Sequence, residues 1–194
     1  MLPATLAYMK SKGFAVFTKG DYNLNIVGVR KRNGKPGKWD DALRVFWKRG
    51  AVWNSAQFEC TVDPSLLYLN KRQLNVKGTA VLYGPAQYRG AFEKGMHKGK
   101  YECLVQCQPV KCWRDNNRDK HMDTWGQPSE EGFFGIHIHR AHPTKVLEEI
   151  GPYSAGCQVI RRANDWNYFM GLIDKSIEAT GYDRFTYTLL DEWC

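Results

Sequence analysis

The sequence predicts a mainly β fold (β+α) with one long helix late in the chain. Three observations carry this. Short runs of alternating apolar and polar residues recur between Leu24 and Trp113, which is the signature of half-buried strands. Glycines at 78, 84, 90, 95 and 99 punctuate the middle third, as expected where strands turn often. Residues 164–180 instead place Trp166, Phe169, Met170, Ile173 and Ile177 on one helical stripe.

In chain order, residues 3–12 read as a short amphipathic helix, with Leu2, Leu6 and Met9 on one side and Gly13 as its stop. From Phe14 onward the pattern turns β, and Leu24 and Ile26 alternate with Asn23 and Asn25. Gly34, Pro36 and Gly37 make residues 31–38 a basic, exposed loop. Leu43, Val45 and Trp47 then mark a strand, and Arg49-Gly50 a turn into a second strand through Val52. Further strands are expected at residues 58–62, 80–83, 101–106, 110–113, 133–139 and 185–190. Asn164 is placed to cap the long helix and Gly181 to end it. No repeat or linker divides the chain, so one domain over residues 1–194 is expected.

The apolar fraction of 43% and aromatic fraction of 13% are those of a folded protein. No apolar run approaches the roughly 20 residues of a membrane span. Residues 1–20 lack a secretory signal pattern, so synthesis in the cytoplasm is expected. The six cysteines, at 60, 103, 107, 112, 157 and 194, lack the dense spacing of a disulfide-stapled domain and read as free thiols. A formal charge of +8 favours polyanionic partners, whether nucleic acid, anionic lipid or cell wall.

The chemistry concentrates in one segment. Gly135-Ile136-His137-Ile138-His139 is followed at a short distance by Ser154-Ala155-Gly156-Cys157. A thiol nucleophile needs an imidazole within hydrogen-bond reach to take its proton, and both are present here. Alternation would put His137 and His139 on one face and Ile136 and Ile138 toward the core. Gly156 would permit close backbone approach. A lone cysteine or strand histidine is usually only a packed core residue. Ser154 reads as a turn partner rather than a second nucleophile.

Ile138-His139 and the Ser154-Ala155-Gly156-Cys157 run resemble the catalytic segment of the L,D-transpeptidase family, which carries Ile-His-Gly and then Ser-X-Gly-Cys. The later helix and final strand follow that family's order of parts, and the likeness is specific over the last third of the chain. Arg140 replaces the family glycine, Gln158 its aliphatic residue and Val159 its arginine, with Arg161 and Arg162 close behind. The chain from Asn25-Ile26-Val27-Gly28-Val29-Arg30 to Tyr187-Thr188-Leu189-Leu190 also resembles proteins encoded by bacteriophages and prophages. The resemblance implies an L,D-transpeptidase-like β-sandwich or barrel that processes the stem peptides of bacterial peptidoglycan as a lysin. It would act at the wall after lysis-linked release or as part of a virion. It implies Cys157 as nucleophile, His139 as base, backbone N–H groups of Gly156 and Cys157 at the oxyanion, and support from His137, Ser154, Arg140 and Tyr153. That chemistry requires no cofactor.

Other constellations compete. Asp115, Asn117, Asp119 and Asp123 follow the alternate-ligand spacing of a calcium loop, but Lys120 and Gly126 occupy positions that want Gly and Glu. A solvated polar turn is the plainer reading. His137 and His139, with Asp123 or His142, would suit a metal-dependent hydrolase, since His-X-His on a strand is a common metal pair. Cys103, Cys107 and Cys112 with His121 lack the paired knuckle of a zinc site. The basic loops at residues 30–32 and 94–100 accompany no nucleic-acid motif, so no specific nucleic-acid partner is expected. A nonenzymatic wall-binding or virion structural role would leave Cys157 buried and inert.

Overall fold

A computed structural model describes residues 1–192. The strands are β1 (Asn25–Arg30), β2 (Asp41–Arg49), β3 (Val52–Thr61), β4 (Thr79–Leu82), β5 (Ala86–His97), β6 (Tyr101–Gln106), β7 (Val110–Asp115), β8 (Glu130–Gly132), β9 (Ile138–Arg140), β10 (Gln158–Ile160) and β11 (Arg184–Asp191). The helices are α1 (Ala4–Ser11) and α2 (Ala163–Thr180). Eight strands close a barrel in the order β1-β11-β5-β6-β9-β10-β3-β2, and β4-β7-β8 form a small second sheet. The chain is therefore mainly β with a helix late in sequence, as expected. Among the described residues no helix is long and apolar enough to cross a membrane.

Each face of β1 has its own reason to be buried. Ile26 enters the main core with Leu43, Val45, Phe92, Leu104 and Leu189. Val27 and Val29 point the other way and pack under Leu6 and Met9 of α1. α2 adds Trp166, Phe169 and Ile173 to the main core, and Phe169 meets Phe58 edge-on at 6.1 Å between centroids. Ala80, Leu82, Val110 and Cys112 of the small sheet share that core. The helix begins one residue before Asn164, and no side chain caps it, while Gly181 ends it in the left-handed region at φ 71°.

Several polar groups inside the barrel are tied, although the Trp47 indole N–H is buried there without a partner among the described residues. The Tyr187 hydroxyl donates to Gln158 Oε1 at 2.6 Å, and Gln158 Nε2 donates to the carbonyls of Val62 and Gly156. Gly28 is required here, since a Cβ at that position would fall 1.8 Å from Tyr187 Oη. Arg30 grips Asp63 through Nε and Nη2 at 2.8–3.1 Å. Both Asp41 oxygens accept backbone N–H groups, from Lys31 and Val62.

The barrel has one thin seam. β9 and β10 are three residues each and run parallel, pairing Gln158 with Ile138, Val159 with His139 and Ile160 with Arg140. On its other side β9 meets β6 through the single pair Leu104 and Ile138. This seam carries the Cys-His segment.

Candidate active site

The strand expected at residues 133–139 forms only from Ile138 onward. Gly135 takes a positive φ of 68°, which breaks the extended run. The Gln106 side chain replaces the missing ladder, because its Oε1 accepts the N–H groups of Phe134 and Ile136. Ile136 and Ile138 enter the main core, as alternation requires. Continuing the β9–β10 register by one step sets Cys157 beside His137, with His139 two residues along on the same outer face.

A cleft of about 730 Å³ opens on that face, lined by Cys157, His137, His139, Arg140 and Tyr153. Cys157 is half-buried, and its thiol donates to the Gly135 carbonyl while accepting the His137 N–H, each at 3.5 Å. Burial pushes the thiol up from its ordinary value, against the opposing pull of the His137 N–H and the Lys98 charge.

The segment before the cysteine is clamped from behind. Ser154 is fully buried, and its hydroxyl sits 2.9 Å from the Asp63 carbonyl and 2.8 Å from that of Cys157. It accepts the Gly156 N–H at 3.2 Å. The Gly156 N–H, expected at an oxyanion, is therefore committed to Ser154. The Cys157 N–H meets no acceptor among the described residues. Gly156 has φ 123°, and a Cβ there would fall 2.3 Å from the Ala80 carbonyl oxygen, so no other residue fits. Gln158 holds the Gly156 carbonyl from inside the barrel.

The two histidines differ in which nitrogen is bare. His137 Nδ1 accepts the Gln106 N–H at 3.1 Å, which places the neutral ring's proton on Nε2. His139 Nδ1 lies 2.8 Å from the Arg140 carbonyl, a partner that only accepts, so Nδ1 carries the proton and Nε2 keeps its lone pair. Burial pushes His139 down to about 3, helped by the nearby His97. Burial also lowers His137. Both rings are thus neutral at ordinary pH.

Sequence reasoning missed His97 and Tyr101. The β5–β6 hairpin turns on Lys98 and Gly99, both at positive φ, and delivers His97 and Tyr101 to the cleft. His97 stacks on His139 at 4.2 Å between centroids, and its Nδ1 is buried without a partner among the described residues. Burial, then Lys98, pushes it down to about 4. The Tyr101 hydroxyl lies 3.2 Å from His139 Nδ1, and its ring receives the Arg140 guanidinium at 4.0 Å. The signal in the sequence was Lys98-Gly99 between two alternating runs.

The acidic loop is organised around its own backbone. Asp115 is fully buried and accepts the Asp123 N–H, with its second oxygen unpartnered and its carboxyl raised by burial. Asn117 Nδ2 donates to both Asp119 and Asp123. Among the described residues no three His, Cys, Asp or Glu side chains gather as a metal site would require. Cys60, Cys103, Cys107, Cys112 and Cys157 are free thiols, and Cys194 lies outside the described residues. Comparison of the chain with protein families, curated proteins and solved structures finds no match.

Proposed function

We propose that the protein is a cysteine-dependent enzyme that cuts stem peptides of bacterial peptidoglycan, in the manner the L,D-transpeptidase resemblance implies. The observation that supports this best is the placing of Cys157 on one cleft face with His137 and His139, the second of which keeps a bare Nε2. Neither imidazole hydrogen-bonds the thiol among the described residues. The thiol therefore turns toward His139, whose Nε2 then takes its proton as sulfur bonds to the peptide carbonyl carbon. The Cys157 N–H, and Nε2–H of His137, stabilise the oxyanion; such donors are typically worth about 3–4 kcal/mol each. The C–N bond then breaks, and His139 returns its proton to the leaving amine. Water attacks the thioester to complete hydrolysis, and a second stem's amine in its place gives transpeptidation. Arg140 and Tyr153 line the substrate path, while Ser154 and Gly156 shape the turn that presents the sulfur. The net charge of +8 favours residence on anionic wall polymers, reached after lysis-linked release or from a virion.

The test incubates purified wall with wild type and Cys157→Ala, with and without chelator, and analyses the released fragments. Loss of release in the mutant alone is expected. Loss with chelator alone points to a metal hydrolase using His137 and His139. No release from either points to a binding or structural role.

A further inference from the structure

Residues 31–41, between β1 and β2, make a self-contained loop fastened at both ends. Its own turns close through the Gly34 and Lys38 N–H groups, and Asp40 Oδ2 accepts the Lys35 N–H at 3.0 Å. Asp41 ties the loop down, taking the Lys31 N–H at 2.8 Å on one oxygen and the Val62 N–H at 2.9 Å on the other. The other fastening is to the segment that leads to Cys157. The Gly37 carbonyl accepts the Ile150 N–H at 3.2 Å, and Lys38 pairs with Glu149. Trp39 is buried against Ala141, Ile150 and Val159, and Tyr153 and Cys157 pack on the same cluster. Ser65 and Tyr68 hold the Gly151 and Pro152 carbonyls of that segment. Pro152, Tyr153 and Cys157 line the cleft, so the loop braces one of its walls.

Both fastenings carry a built-in cost. Asp41 and Asp63 are buried together, and the buried guanidinium of Arg30 is committed to Asp63. Cys60 and Tyr187 face Asp41 from β3 and β11 and bring no positive charge. Outside, Asp40, Glu59 and Glu192 share a groove with Asp41, Lys31 and Arg44. Lys35 and Lys38 line a small cavity of about 20 Å³ with Asp41 and Asp63. Burial, then Asp63, raises the Asp41 carboxyl to about 7. At the other fastening the Trp39 indole N–H is buried without a partner among the described residues, and it regains water when the ring withdraws.

We infer that residues 31–41 are a pH-sensitive strap on the cleft, clasped while Asp41 keeps its proton and released when that proton is lost, which frees the Ile150–Ser154 wall to move. The device governs access to the cleft and is independent of the chemistry at Cys157. In the released loop the carboxyl returns toward its ordinary value of about 4. The clasped state therefore holds a proton that the released state gives up. The clasp is firmest in acid, weakens as pH rises from about 4 to about 7, and changes little beyond.

Amide exchange is followed by NMR on the full chain from pH 4.5 to pH 8.5, each rate being divided by its intrinsic value to give an opening constant. For the Lys31 and Lys35 N–H groups this constant is expected to rise about tenfold or more between pH 5 and pH 7.5, then level off. The Ile150 N–H, which reports the wall, is expected to follow the same curve. Asp41→Asn, whose amide has no proton to lose in this range, is expected to hold all three constants within about threefold. The Ile173 N–H, inside α2, serves as reference for the whole fold. Flat loop constants in wild type, an equal rise at Ile173, an Ile150 N–H that ignores the loop, or a rise that survives Asp41→Asn overturns the inference. If the variant does not fold, the levelling of the wild-type curve carries the test, because general alkaline loosening keeps rising to pH 8.5.

Discussion

Replacing His139 by Gln should change how stability responds to acid. His139 is 3% exposed and is held down to about 3, from an ordinary 6.5, chiefly by burial. Between those values the unfolded chain binds a proton that the folded chain refuses. Stability is therefore full above the unfolded value and drains as pH falls toward the folded one, by about 1.4 kcal/mol per pH unit. At pH 5 the loss comes to about 2 kcal/mol relative to pH 7.5 for this ring alone. His97, held down to about 4, acts in the same direction, more weakly because it is partly exposed to solvent. Asp41, raised to about 7 by burial and by Asp63, acts in the opposite direction. Comparing chains with and without His139→Gln in a His97→Gln background removes the contribution of that stacked ring and cancels that of the distant Asp41. Urea unfolding followed by tryptophan fluorescence at the two pH values should show the double variant losing roughly 2 kcal/mol less than His97→Gln alone. Equal losses would mean that the folded protein accepts a proton at His139, and the neutral base proposed for the chemistry would go with it.

Three further outcomes follow from the same geometry. Gln158→Leu leaves the Tyr187 hydroxyl and the carbonyls of Val62 and Gly156 without their buried partner; denaturant unfolding should show a loss of roughly 1–3 kcal/mol or more. Gly28→Ala drives a methyl into Tyr187 Oη, so the variant should express largely as insoluble protein, and a soluble protein of wild-type midpoint would contradict the packing described. Alkylation of Cys157 by iodoacetamide, mapped by peptide mass, should be slower at neutral pH than that of a free thiol, which is itself only a few per cent ionised there. Its rate should climb with pH beyond the range where a free thiol levels off, because burial raises the thiol.

The regular parts of the fold were legible because local pattern and final packing agree there. β6 and α2 fall where alternation and the apolar stripe put them, and Gly181 ends the helix as expected. β5 was hidden by its glycines. Gly90 does not end the strand but sits in a bulge at φ 56°, where the pairing with β11 shifts register. Gly95 is there because a Cβ would press within 2.8 Å of Val105. Both were read as turn signals, since glycine looks the same in a turn and at a close approach. The pairing of His137 and His139 with Cys157 in one cleft was legible from spacing. The tautomers were not, for they depend on Gln106 and on the Arg140 carbonyl, contacts made through folding. His97 was invisible for the same reason, lying 42 positions before His139 in sequence and one ring thickness from it in space.

A cylinder of strands is only as firm as its least-stitched join, and here that join is one residue pair wide, Leu104 against Ile138. Amide exchange should therefore reveal the earliest breathing of the wall at β9 rather than along the nine-pair ladder of β2 and β3. Because the Cys157 sulfur hangs beside β9 and lines the cleft, the motions that loosen the wall there would also be the ones that widen the cleft.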